Sequence, residues 1–322
     1  MRRVTSQVTG GEIVLKSIGE RLFTLIPVLL AISLITFILG SMSSGDTART
    51  LAEKQYDRPT YEQIEKIRTE MGFDRPVLVQ YVSWLKNAVR GDLGYSYSND
   101  KPVVDEIVQY FPKTLQLALL ALLFLIIISF TLGILSAVFS DSWIDKISRI
   151  YCFWSVSMPE FWFGLILLYI FGARLGLISV LGGSSTKFPI IPALTMSICS
   201  GGIYVRVIRT NMEEVLNKGY IRAARAKGVS EYKIITKHAL KNATLPVLNK
   251  LGIGFGSLLA GSAIIESIFS WNGLGNLALE SVKLKDYPVV QGYVLFMAFL
   301  MVLINLTVDI ICGIIDPRLK NE

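Results

Sequence analysis

The sequence predicts an all-α membrane protein of about six transmembrane helices: one near the N-terminus, five in a core, and a small helical region outside the bilayer. Three observations carry that expectation. Hydrophobic residues make up 52% of the 322 positions and charged residues only 18%, whereas soluble domains carry roughly 25% charge. Mean hydropathy is +0.51. Apolar windows of spanning length, about 20 residues, recur along the chain with polar connections between them.

The first window, Leu22–Ser41, is uncharged. It is longer than the roughly 7–15 apolar residues of a cleavable signal core and is followed by no A-x-A pattern, so it reads as a retained helix. A polar region follows. Tyr61, Ile64, Ile67 and Met71 fall at helical spacing, with Thr60 as N-cap and Gln63 completing the capping box. Asp74-Arg75-Pro76 turns the chain. Val77–Val89 then reads as a second amphipathic helix carrying Tyr81, Trp84 and Leu85, broken by Gly91-Asp92-Leu93-Gly94. These helices would lie on the membrane surface.

The remaining spans are Leu115–Phe139, Ile150–Ala173, Ile190–Val205, Leu251–Ser270 and Val289–Ile315. The fourth is short and contains Pro192 and Gly201-Gly202. Gly252, Gly254 and Gly256 open the fifth, where small residues let helices approach closely in lipid. Cys152, Cys199 and Cys312 lie in different spans and read as small packing residues without a disulfide.

Three acids lie inside spans. A carboxylate at the bilayer centre costs about 2.5–3.5 kcal/mol on insertion scales and therefore faces protein or a wet pathway. Glu160 sits near the middle of the third span, just after Pro159, which frees backbone carbonyls that protein or water must meet. It is either a pathway group that attracts a cationic substrate or a structural acid. Glu266, near the outer end of the fifth span, leaves the same two readings open. Asp309, near the inner end of the sixth, reads as packed or paired with a neighbouring helix.

Basic residues set the orientation. With the N-terminus inside, the inner pieces are 1–21, 140–149, 206–250 and 316–322, and 206–250 alone holds ten Lys and Arg. The long outer region also holds ten, but they are balanced by eleven acids over 42–114. The net charge of +7 thus suits the anionic inner leaflet and needs no nucleic acid.

Catalytic and cofactor motifs are missing. No phosphate-binding loop occurs, and Gly182-Gly183-Ser184-Ser185-Thr186-Lys187 lacks the glycine before its lysine. The single histidine, His238, leaves no Ser or Cys a base and offers no His-rich metal site; it reads as a structural hydrogen-bonding residue. Neither catalytic residues nor metal ligands are assigned, and no cofactor is expected on this chain.

The segment Arg206–Pro246 reads as the working contact. Ala223, Ala224 and Ala226 make a narrow helical surface that can enter a cleft, with Arg222, Arg225 and Lys227 available to acids at its rim. Gly228 supplies a helix stop and Ser230 a cap for the next helix, which presents Lys233, Lys237 and Lys241 at four-residue spacing and ends near Pro246.

The order of several phrases resembles the permease subunits of ATP-binding-cassette importers for peptides and nickel, the dipeptide, oligopeptide and nickel permease family, and within it the first of the two paired permeases. These phrases are Gly72-Phe73-Asp74-Arg75-Pro76 with Gln80-Tyr81 and Trp84-Leu85; Gly91-Asp92-Leu93-Gly94 with Ser96; Pro112 with Thr114-Leu115; and Ser157-Met158-Pro159 with Phe161-Trp162. Further on come Tyr220 to Gly228 with His238-Ala239-Leu240 and Asn242-Ala243, Glu266 with Ile268-Phe269-Ser270-Trp271 and Gly273-Leu274-Gly275, Asp286-Tyr287-Pro288 with Gln291, Asn305, Asp309, and Asp316-Pro317-Arg318.

The resemblance implies a type I importer permease core over 112–315, with 1–21 a cytoplasmic N-terminus, 22–41 the first transmembrane helix, 42–111 an external loop region and 316–322 a cytoplasmic tail. It implies a bacterial or archaeal plasma or inner membrane location. It implies a second homologous permease, two ATPase subunits that use ATP and Mg, and an external or periplasmic binding protein. The loop 206–250 would seat its short helix in the ATPase, through Tyr220, Arg222, Ala223, Ala224, Arg225, Gly228, His238 and Asn242. Arg222 stands where the wider superfamily has glutamate, and Leu240-Lys241 replaces its Leu-Pro, as in the peptide and nickel branch. Glu160 and Glu266 remain the pathway candidates, for peptides or a nickel or metal chelate. A self-sufficient secondary transporter is the rival reading; it would show several intramembrane acids and an internal repeat.

Overall fold

The computed structural model describes residues 10–42, 47–177 and 189–315. The Gly182–Lys187 turn, the 316–322 tail and the side chains of Asp309 and Cys312 lie outside the described residues. The regular elements of the described chain are all helical, in the order α1 (Gly10–Met42), α2 (Thr47–Gln55), α3 (Tyr61–Glu70), α4 (Val77–Ala88), α5 (Val103–Val138), α6 (Trp143–Ser157), α7 (Glu160–Leu168), α8 (Ile190–Leu216), α9 (Gly219–Ala226), α10 (Glu231–Lys233), α11 (Leu240–Ile268), α12 (Leu274–Lys283) and α13 (Tyr287–Ile315). Wider π turns follow α7, at Tyr169–Arg174, and α10, at Ile234–Ala239. Among these residues five helices are long and apolar enough to cross a membrane, or six if the bent pair α6 and α7 counts as one span.

Two units are distinguishable. The larger holds Pro112–Asn276 and the chain from Leu300 onward. Its centre is α8, which packs on α6, α7 and α11, with Met196, Ile208 and Met212 fully buried beside Leu117 and Leu125 of α5. Pro192 sits in the first turn of α8, where the missing N–H has no intrahelical partner in any case. The two glycines of that span are contact points: a Cβ at Gly201 would lie 2.5 Å from the Tyr151 hydroxyl, and one at Gly202 would meet Cys152 and Ser155. On α11, a Cβ at Gly252, Gly254 or Gly256 would run into Val308, Tyr204 or Met301. These glycines are the close-approach positions of the helix packing, as their place in a span indicates.

Two expectations about this unit are corrected. The third span is not straight over Ile150–Ala173: α6 and α7 meet at a bend of 102°. Met158, preceding a proline, is pushed to extended backbone at φ −86°, ψ 122°, and Pro159 becomes the N-cap of α7. Conversely, the helix over 231–268 does not stop near Pro246. Pro246 lies inside α11, and the apolar span Pro246–Ile268 is the continuation of the helix that leaves the π turn.

The second unit holds Leu22–Phe111 and Leu277–Phe299. The capping box at α3 is present, with the Thr60 N–H donating to Gln63 Oε1 at 2.8 Å and the Gln63 N–H to Thr60 Oγ1 at 3.4 Å. Only Ile64 and Ile67 of the α3 stripe are used. They pack with Ala48, Leu51 and Ala52 of α2, a helix too polar to stand out in the sequence, while Tyr61 and Met71 remain exposed. Tyr81 of α4 is buried against α1: its hydroxyl is 2.9 Å from Ser33 Oγ, and its ring meets Phe37 edge-on. Two phrases far apart in sequence also meet here. Asp286 accepts from Ser96 Oγ at 2.6 Å and from the N–H groups of Tyr97 and Ser98, just after Gly94 turns the chain at φ +86°. Burial, reinforced by the Asp286 charge, pushes the Tyr97 hydroxyl up to about 12.

Candidate functional site

The polar segment 206–250 is an arm of helix rather than a loop. α8 runs on to Leu216, Asn217 closes it, and Lys218 opens α9. α9 is fastened from below by Ile221, and the turn after α10 by Ile234, both fully buried. Side-chain bonds add two clamps. Asn242 Nδ2 donates to the Tyr220 hydroxyl at 2.9 Å and to the His238 carbonyl at 3.0 Å. Arg225 donates twice to the Glu231 carboxylate, at 2.7 and 3.2 Å. The pair shifts both groups: hydrogen bonding to Arg225 holds Glu231 below the ordinary carboxylate range, and Glu231 raises Arg225.

Of the eight residues singled out in this segment, the structure therefore brings together Tyr220, His238 (through its carbonyl) and Asn242. Arg222, Ala223 and Gly228 are exposed, with Gly228 at φ +77°, whereas Ala224 is half-buried. Three local expectations change. Arg225 is engaged by Glu231 within the segment rather than left for a partner's acids. Ser230 occupies the N-cap position but makes no side-chain cap bond. Among the described residues, the hydrogen bond His238 contributes is through its carbonyl, which accepts from Asn242 Nδ2, and not through its imidazole. Lys233, Lys237 and Lys241 are exposed, but the π turn at Ile234–Ala239 breaks the even 3.6-residue repeat that would align them.

The sequence reading missed the buried ion cluster behind this arm. Asp145, in the first turn of α6, is fully buried. Its carboxylate accepts from Arg209 Nε at 2.7 Å, Arg149 Nη2 at 2.5 Å, Ser136 Oγ at 2.6 Å and the Asp141 N–H at 3.1 Å. Arg209 also reaches Glu213 at 2.8 Å. An acid three residues after Ser142, at a helix start, was the available signal, but its partner on α8 is 64 positions away.

Two of the intramembrane carboxylates, Glu266 and Glu160, differ sharply. Glu266 is fully enclosed. Thr114 Oγ1 donates to it at 2.7 Å, Ser262 Oγ at 3.0 Å and the Asn276 N–H at 2.9 Å. Thr114 Oγ1 also accepts from the Leu274 N–H at 2.7 Å, and Trp271 Nε1 donates to the Lys113 carbonyl. Glu266 thus ties the turn after α11 to α5. Glu160 is not deep inside a continuous helix. It is the first residue of α7, beside the 102° bend, and lines a cavity of about 430 Å³ together with Ser155, Ser200, Tyr204, Ser257 and Lys250. Its Oε1 is buried and has no hydrogen-bond partner. Among the described residues no group of three or more His, Cys, Asp or Glu is placed to hold a metal.

Residues 129–321 match the family described as binding-protein-dependent transport system inner membrane component, and residues 14–118 match its N-terminal membrane component. The chain belongs to this family. Among its relatives, the glutathione transport system permease protein GsiC of Escherichia coli K12 is 37% identical over 301 residues, covering 94% of this chain and 97% of that protein. GsiC of Shigella flexneri serotype 5b is 37% identical over the same span. Two crystal forms of the inward-facing MetNI methionine ABC transporter share the fold, with TM-scores of 0.51 and 0.52 at 18% identity, covering 65% and 66% of this chain and 96% of that one. This permease is accordingly a membrane-spanning subunit of an ATP-binding-cassette importer, a class that works with a paired permease, ATPases and a binding protein. Family membership sets aside the secondary-transporter alternative.

Proposed function

We propose that this chain is the first of two paired permeases in an importer of short peptides, and that α9 is the seat of an ATPase subunit. The termini and the 206–250 arm then lie in the cytoplasm and 42–111 lies outside, facing the binding protein. ATP and Mg belong to two partner ATPases, and this chain carries no catalytic step. The observation that supports docking at α9 is its small-residue surface: Ala223, Ala226 and Gly228 are exposed, while Ile221, the Tyr220–Asn242 bond and the Arg225–Glu231 pair hold the helix from beneath. A rigid, preorganised helix docks without an ordering cost. Peptide cargo is favoured over a bare metal ion by the glutathione (tripeptide) transport in the names of the relatives.

Ala223→Trp tests the assignment. The side chain is exposed, so a Trp is tolerated by the fold but cannot enter a cleft shaped for alanine. ATPase co-purification should fall at least about tenfold, equivalent to roughly 1.4 kcal/mol of docking energy, and ATP-driven peptide uptake in proteoliposomes should fall with it. A stable complex with wild-type uptake would place the ATPase contact elsewhere.

A further inference from the structure

Glu160 and Glu266 are the same residue type in the same unit, yet only one is satisfied. Glu266 has three donors and lines none of the described cavities. Glu160 has a buried oxygen with no donor and no ion-pair partner among the described residues, and its side chain lines a cavity. An intramembrane carboxylate that lines a cavity marks a candidate substrate or ion pathway. We propose that Glu160 binds the ammonium group of the cargo inside this cavity, and that Lys250, on the wall of the same cavity, receives the cargo carboxylate. The proposal rests on the peptide-import reading above and adds the chemistry of recognition to it.

The dimensions fit that ligand class. A volume of about 430 Å³ lies within the roughly 300–1,000 Å³ typical of small-molecule sites. The wall contributed by α11 runs from Lys250 to Gly261, about 16 Å at 1.5 Å per residue. An extended peptide advances roughly 3.3–3.6 Å per residue, so a chain of two to four residues matches the length of that wall. The hydroxyl-bearing Ser155, Ser200, Tyr204 and Ser257 line the same cavity and can bond peptide groups of any sequence. That suits a carrier whose cargo shares a backbone rather than a side chain.

Two measurements on the assembled importer test this. In the first, Cys152, Cys199 and Cys312 are replaced and Ser257→Cys, exposed on the cavity wall, reports the local charge. Cationic aminoethyl methanethiosulfonate should react at least about five times faster, relative to its anionic sulfonatoethyl counterpart, when Glu160 is present than in Glu160→Gln. In the second, uptake of dialanine is compared with that of its N-acetyl and C-amide derivatives. The wild type should disfavour both derivatives about tenfold or more. Glu160→Gln should lose only the discrimination against N-acetylation, and Lys250→Met only that against amidation. An unchanged labelling ratio in Glu160→Gln, or retained N-acetyl discrimination, overturns the proposal. If the wild type moves no dipeptide at all, the peptide reading falls, and the labelling ratio alone decides whether Glu160 is a cation site. Lys250 is exposed, so its variant remains informative if the Glu160 variant fails to assemble.

Discussion

Asp145→Ala should destabilise the larger unit by about 3 kcal/mol, and the reasoning can be followed atom by atom. The substitution removes an acceptor for two guanidiniums, a hydroxyl and a backbone N–H. Removing one member of a buried pair costs about 3–5 kcal/mol, because the remaining charge is stranded. The low end applies because Arg209 is 21% exposed and keeps Glu213, and Arg149 is 51% exposed. Water can therefore re-solvate part of each. About 3 kcal/mol corresponds to a fall of roughly 6–12 °C in the unfolding midpoint for a unit of this size. Size-exclusion chromatography of the heated, detergent-solubilised complex reads this directly. The double variant Asp145→Leu with Arg209→Leu should recover most of the loss, since apolar replacement of a whole buried pair is often near neutral. A midpoint within about 2 °C of wild type for Asp145→Ala, or a double variant no better than the single, would refute the account.

Three further outcomes follow from the geometry. Gly273→Ala should lower the midpoint more than Gly261→Ala, because a Cβ at Gly273 would lie 2.5 Å from the Glu266 carboxylate, while Gly261 faces open space; equal effects would remove Glu266 from its bracing role. The Arg225–Glu231 clamp depresses Glu231 from its ordinary 4.5, so its contribution is fully present above pH 4.5 and is lost as pH falls through the lower folded value. Amide exchange over 225–231 should therefore quicken as pH falls below the ordinary glutamate value after correction for intrinsic rates, and a pH-independent protection factor would count against the clamp. Single cysteines at Lys66 and Lys233, in a background lacking native cysteines, should differ on intact cells: an impermeant thiol reagent should label the first and spare the second. Labelling of the second alone, or of both equally, would reverse the proposed orientation.

Much of the fold was legible because hydropathy is additive along a chain. Windows such as Leu115–Phe139 and Val289–Ile315 need no tertiary information, and the α3 capping box is local chemistry within four residues. What escaped was set by contacts between distant positions. The continuation of α11 through Pro246 depends on neighbours that tolerate the lost hydrogen bond, not on the proline itself. The 102° bend at Pro159 was half visible: proline disfavours helical backbone at Met158, but whether the helix breaks, and at what angle, is decided by packing of α6 and α7 on α8. The Asp145 cluster could not be read at all, since Arg209 looks like any other basic residue of the arm until α8 is laid against α6.

The same point separates the two carboxylates, and it bears on how the permease works. Glu160 and Glu266 are alike in sequence, each a lone acid in an apolar run; only the groups folded against them differ. One helix connects the open acid to the arm. α8 supplies Ser200 and Tyr204 to the Glu160 cavity, is held at Arg209 by Asp145, and ends three residues before α9. Its 27 residues span about 40 Å at 1.5 Å per residue, and the contacts at Gly201 and Gly202 leave no slack against α6. Under the proposed docking at α9, a push there reaches the cavity wall through this single helix. A loose joint anywhere along α8 would dissipate it, so under that proposal the buried Asp145–Arg209 pair, between the proposed cargo cavity and the proposed ATPase seat, is where stability and coupling should fail together.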